Sequence, residues 1–169
     1  MSVNKRVIYL VEGDCEKSLI QALKESPSLL LPGKIIVNNP VNSLLSKGVI
    51  MTFAPNSTIV LVFDTDVERV DVLARNLELL ERYNASYEIV TIPQIKTFED
   101  EIVRATDVKK ATELTHSKTL SDFKRDIVKT KDLRRLLEKH SFDIDSLWAK
   151  EAKNVFSFVK QLSGKIKTK

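Results

Sequence analysis

The chain has one cysteine, Cys15, and two histidines, His116 and His140. One thiol cannot close an internal disulfide or build a four-ligand zinc site, and it suits a reducing, cytoplasmic compartment. The histidines stand alone in sequence and read as surface or helix-end residues. With no histidine near it, Cys15 reads as a partly buried thiol and not as a nucleophile. No apolar run approaches the roughly 18–20 residues that span a bilayer, and the start, MSVNKRV, has no long apolar core, so no secretory signal and no membrane partner are expected. A phosphate-binding P-loop is missing too. Gly33-Lys34 lacks both the glycine five residues before and the Ser or Thr after, so any ATPase would be a separate chain. No internal repeat or low-complexity segment is visible.

The 169 residues are 43% hydrophobic, enough for one ordinary domain with a core. The net charge of +4 is unevenly spread. Residues 1–103 hold 10 Lys and Arg against 14 Asp and Glu, and residues 104–169 hold 17 against 9. An acidic front and a basic back suit a catalytic or metal-binding face joined to a polyanion-binding face, or simply solvated helix surfaces.

The densest signal is Ile59 to Asp66, IVLVFDTD. Ile59 to Phe63 is short, apolar and rich in β-branched residues, as a strand buried on both faces of a parallel sheet would be. It ends in Asp64 and Asp66, which share a side if the strand persists, because side chains alternate. Arg6 to Val11 has the same layout and ends in Glu12-Gly13-Asp14. Strands are expected over residues 5–11, 34–38, 59–63 and 86–92, and helices over 15–25, 43–51 and 70–83 between them, with Asp14 as a helix cap and Asn84 as a stop. That alternation predicts an α/β fold with a parallel four-stranded sheet flanked by helices. Residues 96–169 predict a helical, basic extension packed on the first unit (1–95), with helices over 98–104, 120–129, 131–140 and 143–162. In the last helix Trp148 and Phe156 would share one face as core residues. The tail from Gly164 reads as frayed.

In such a sheet Glu12, Asp64 and Asp66 end on one edge, where α/β folds bind ligands. Three acids in one cleft repel each other unless a cation joins them. Mg²⁺ suits hard oxygen donors, Mn²⁺ being a possible substitute, and a carboxylate left over can act as general acid or base.

The pairing of VEG after strand one with DTD after strand three resembles the Toprim domain of topoisomerases, primases, recombination proteins and small nucleases of the old and ribonuclease-M5 type. The resemblance covers about residues 5–92. It implies that Glu12 is the general acid/base, that Asp64 and Asp66 hold Mg²⁺, and that the chain cleaves phosphodiesters of DNA or RNA, with two metals about 4 Å apart in the fullest form. It departs from the family at Val67 to Val70, where many members carry a glycine. Glu68 is either a further ligand or an acid in the first turn of a helix. Glu99 and Glu101 are either metal ligands, as acids after the fourth strand are in the old-type nucleases, or helix N-terminal acids. A topoisomerase needs a strand-passage domain and a tyrosine nucleophile, and a primase a cysteine set; neither fits here. Lys118, Lys124, Arg125, Lys131, Arg134 and Arg135 are the candidate nucleic-acid grip, with Asp122, Asp126, Asp132 and Glu138 as intervening ion-pair partners. Two rivals stay open: a receiver-like phosphorylation switch with Lys96 after the last strand, and a non-catalytic Toprim-like module that binds nucleic acid or an ATPase partner.

Overall fold

The computed structural model describes residues 6–83 and 88–168. Four strands, β1 (Val7–Val11), β2 (Gly33–Val37), β3 (Thr58–Asp64) and β4 (Glu88–Gln94), form an all-parallel sheet in the order β2-β1-β3-β4. The connections carry α1 (Asp14–Lys24), α2 (Lys47–Met51) and α3 (Asp71–Tyr83). After β4 come α4 (Phe98–Ala105), α5 (Ala111–Leu114), α6 (Leu120–Lys129) and α7 (Leu133–Lys139). The chain is therefore α/β, with helices on the sheet and further helices C-terminal to it. The stop expected at Asn84 and the start of the strand expected at Ser86 lie outside the described residues.

Side-chain alternation explains the two layers. Val7, Tyr9, Val11, Val60, Val62, Val90 and Ile92 face one side, where they pack against Leu19, Ile20 and Leu23 of α1, Phe98 and Ile102 of α4, Phe123 and Ile127 of α6 and Leu137 of α7. Ile8, Leu10, Ile59, Leu61 and Phe63 face the other side, against Ile50 of α2 and Leu73 and Leu80 of α3. Both faces are covered, so the central strands carry continuous apolar runs. By the same parity Asp64 follows Val60 and Val62, and Gln94 follows Val90 and Ile92. Both end on the α1 side, and the register pairs Asp64 with Gln94 directly.

Two expectations about the C-terminal part are corrected. No helix forms over residues 143–162; the segment runs as turns with a short 3₁₀ element at Asn154–Phe156. Trp148 and Asn154 adopt left-handed backbone angles, φ 54° and 56°, which a right-handed helix does not contain. Leu147 and Trp148 belong to the α1-side core, and Phe156 and Val159 to the α3-side core. One helix face cannot serve both sides of a sheet, so the segment wraps round the β4 edge instead. Thr91 Oγ1 donates to the Lys160 carbonyl at 2.7 Å, the Leu162 N–H to the Thr91 carbonyl at 3.0 Å, and Gln161 Nε2 to the Pro93 carbonyl at 2.9 Å. That covers an edge strand whose proline could not have donated to a further strand.

The tail is also docked. Ile166 is fully buried, Leu31 N–H donates to the Ile166 carbonyl at 2.8 Å, and Thr168 N–H donates to Leu29 at 3.1 Å.

The β2 edge depends on a close approach. Gly33 pairs with Val7, and a Cβ at Gly33 would lie 2.4 Å from the Val7 carbonyl oxygen and 2.8 Å from its Cβ. Backbone cannot rotate away as a side chain would. Gly33→Ala is expected to cost about 1–3 kcal/mol in urea unfolding; an unchanged midpoint would show that the β1–β2 pairing tolerates a shift.

Candidate active site

The carboxyl ends of β1, β3 and β4 open into a cleft of about 270 Å³ lined by Glu12, Gly13, Asp14, Cys15, Glu16, Asp64, Phe98, Glu99 and Lys124. Glu12 follows β1 and accepts the Asp64 N–H at 2.9 Å through Oε2. The two acids that mark the strand ends are thus tied to each other. Asp14 is not the cap expected for α1. Gly13 takes that place, and Glu16, in the third helical position, accepts the Gly13 N–H at 3.1 Å. The Glu16 side chain is thereby drawn back to the sheet edge and buried.

Sequence reasoning missed Glu16 and Gln94. Gln94 is fully buried, and its Nε2 donates to Asp64 Oδ1 at 2.7 Å and to Glu16 Oε1 at 3.1 Å. Its Oε1 accepts the indole N–H of Trp148 at 3.2 Å. The available signals were a polar residue closing the apolar strand EIVTIPQ and a glutamate three places after a capping glycine.

Burial and mutual repulsion disturb this group. Burial, then the charges of Glu12 and Glu16, push Asp64 up to about 8. Burial pushes Glu16 up to about 7 against hydrogen bonds that oppose it. Glu12 is also raised, first by burial. Cys15 donates weakly to the Lys124 carbonyl at 3.7 Å, and burial pushes its thiol up to about 12. It lines the cleft as a protonated thiol.

Of the other acids proposed as ligands, Glu99 lines the cleft and pairs with Lys124 Nζ at 3.3 Å. Asp66 lies beyond the end of β3 and is exposed, though near enough for its charge to raise Glu12 and Asp64. Strand geometry does not persist because Thr65 is tied down: its N–H donates to the Gln94 and Lys96 carbonyls at 3.1 and 2.9 Å. Glu68 is exposed in the turn after β3; α3 begins only at Asp71, so Glu68 is not in its first turn.

Glu101 is fully buried and committed elsewhere. Its Oε1 accepts the Ile95 N–H at 2.9 Å and pairs with Arg104, and its Oε2 accepts the Trp148 N–H at 2.9 Å. It joins two backbone segments to α4 and does not line the cleft.

Of the six basic candidates only Lys124 reaches the cleft. Arg125 pairs with Asp122 at 3.0 Å and Asp126 at 3.2 Å, and Arg134 with Glu138 at 2.8 Å. Lys118, Lys131 and Arg135 are exposed and form no ion pair among the described residues. His140 pairs with Asp107 at 3.1 Å and, with His116, lines a separate open depression.

Among the described residues no three His, Cys, Asp or Glu side chains are grouped tightly enough to hold a metal ion as they stand. The donor chemistry nevertheless suits a hard divalent cation, because the carboxylates of Glu12, Asp64 and Glu99 line one cleft. No family model, curated protein or solved structure matches the chain. No helix among the described residues is long and apolar enough to cross a membrane.

An unfolded Asp or Glu titrates at about pH 4, whereas burial in the fold pushes Asp64 up to about 8 and Glu16 up to about 7. The folded chain therefore holds more protons across that window. Their contribution is fully present below the unfolded value and is lost as pH rises through the folded values. In chelator, the melting temperature is expected to fall as pH is raised from about 5 to about 9, and Asp64→Asn to flatten that slope. A wild-type curve that rises over the same range would refute the assignment.

Proposed function

We propose that this chain is a metal-dependent nuclease of Toprim type, cleaving phosphodiester bonds of DNA or RNA. The observation that carries the proposal is the convergence of Glu12 and Asp64 from adjacent strand ends into one cleft, with Lys124 across from them. Such a position is where open α/β sheets bind ligands, and a cation beside carboxylates is the arrangement that a phosphate needs if it is not to be repelled.

Glu12 and Asp64 would hold Mg²⁺, or Mn²⁺ in its place, with Asp66 at the rim and Glu99 on the opposite wall. Bound there, the cation would neutralise phosphate charge and lower the pKa of water. The chain's own residues do the rest. Lys124 leaves Glu99 to meet a substrate phosphate, since its side chain is mostly exposed and carries a compact point charge. Glu12 serves as general acid or base, its proton affinity already raised by burial. Lys118, Lys131 and Arg135 supply unpaired positive charge for the flanking backbone, whereas Arg125 and Arg134 must first exchange their carboxylate partners. Glu68 and Glu101 have no part in this assignment. A reducing cytoplasm suits the single thiol, and an ATPase is a candidate partner of the reaction.

One observation favours a second reading, a non-catalytic module that binds nucleic acid or a partner: the carboxyl groups are not grouped for metal in their present positions. A receiver-like switch gains nothing comparable, because Lys96 is drawn by its backbone to Thr65 and not into the cleft.

The deciding experiment is cleavage of labelled single- and double-stranded DNA and RNA with Mg²⁺, Mn²⁺ or chelator. Metal-dependent cleavage is expected, abolished by Asp64→Ala and lowered about 10²-fold by Lys124→Ala. Binding without cleavage by the wild type would establish the non-catalytic reading. Equal cleavage by Asp64→Ala would show that the chemistry lies elsewhere.

A further inference from the structure

Gln94 sits where three parts of the chain meet, and its amide has no freedom left. A glutamine amide carries two N–H donors and one carbonyl acceptor. Both donors are used, one on Asp64 Oδ1 and one on Glu16 Oε1. The carbonyl is used by the indole N–H of Trp148. Indole nitrogen only donates, so Trp148 decides which way the amide faces. Turned over, the amide would set its NH₂ against the indole N–H, donor facing donor. Glutamine at this register position therefore presents donors to Asp64 only because a donor-only group stands behind it.

Trp148 is itself held from three sides. Its N–H donates to Glu101 at 2.9 Å, its carbonyl accepts the Ser163 hydroxyl at 3.0 Å, and its left-handed φ turns the ring into the core. It is 54 residues downstream of Gln94 in the chain. The path from Glu101 through Trp148 and Gln94 to Asp64 is continuous, buried as far as Gln94 and part-buried at Asp64.

We propose that Gln94 is a positioning residue for Asp64, and that the Trp148 indole N–H, by fixing the Gln94 amide, makes the C-terminal segment set the orientation in which Asp64 is offered to a divalent cation. This rests on the reading of Asp64 as a metal ligand. One Asp64 oxygen is occupied by Gln94, which leaves the other toward the cleft. Without the indole donor the amide loses its bias, and the carboxylate loses the contact that holds its rotamer.

Trp148 is the sole tryptophan, so its indole N–H gives a single resonance and its fluorescence reports one site. The test uses the full chain and Mn²⁺ as the titrant. Affinity is read by calorimetry, and the indole and Gln94 amide signals by ¹H–¹⁵N spectra with Mg²⁺. Trp148→Phe keeps a ring and removes the N–H; Gln94→Met keeps the length and removes both donors. Each is expected to weaken Mn²⁺ binding by about tenfold or more, as loss of a group that orients a ligand does. The double variant is expected to lose no more than the worse single one, since both act on one contact. The wild-type indole signal is expected to shift with Mg²⁺, and not to shift in Asp64→Asn.

A merely structural role gives a different pattern: lower melting temperatures, unchanged affinity in the folded fraction, and an indole signal indifferent to Mg²⁺. That result with wild-type binding intact overturns the positioning role alone. Wild-type protein that binds neither cation overturns it together with the metal-site reading. If Trp148→Phe does not fold, Gln94→Met decides, because unchanged affinity there is equally fatal.

Discussion

The structure around the cleft depends on how three carboxyl groups are kept in a partly buried space without a counter-charge beside each. Asp64, Glu12 and Glu16 come from two strand ends and the first turn of a helix. Burial first, and then repulsion by neighbouring carboxylates, raises the proton affinity of all three. Lys124, the one cation lining the cleft among the described residues, pairs with Glu99. The Gln94 amide, the Asp64 N–H and the Gly13 N–H supply neutral donors instead. These neutral donors satisfy the partly buried oxygens without adding a charge to the cleft.

The same constraint explains why the residues after β4 are not an appendage. Glu101 closes two otherwise unpaired backbone N–H groups, at Ile95 and Trp148, while paired with Arg104. Removing one member of such a buried set leaves the others unsatisfied. Phe98, Ile102, Phe123, Ile127 and Leu137 share one core with the sheet residues Val60, Val62, Val90 and Ile92. Lys124, from α6, forms part of the cleft wall. The acidic and basic halves of the sequence are therefore joined at the site, although only one of the six basic candidates stands in it.

The legible parts were those where one local pattern had one outcome. An apolar run ending in acid has few alternatives, so β1, β3 and the meeting of Glu12 with Asp64 were readable, as was the amphipathic helix Leu120–Lys129. The helix expected over 143–162 failed because Leu147, Trp148, Phe156 and Val159 fit a helical period while belonging to opposite faces of the sheet. Periodicity reports spacing along the chain and carries nothing about which side each residue must reach. The tail looked frayed because it is short and rich in lysine, yet Ile166 fills a gap beside Leu30 and Leu31.

Sequence by itself determined the class of the fold and the identity of two site carboxylates, because hydrophobic alternation and strand-end acids are local properties of the chain. Tertiary structure alone decided which of the remaining acids line the cleft. Glu16 and Glu101 are both buried helical glutamates. One is drawn into the cleft by Gly13 and Gln94, and the other is drawn away from it by Ile95, Arg104 and Trp148. A carboxylate's role follows from the donors that reach it, and those donors are brought from distant parts of the chain only by folding.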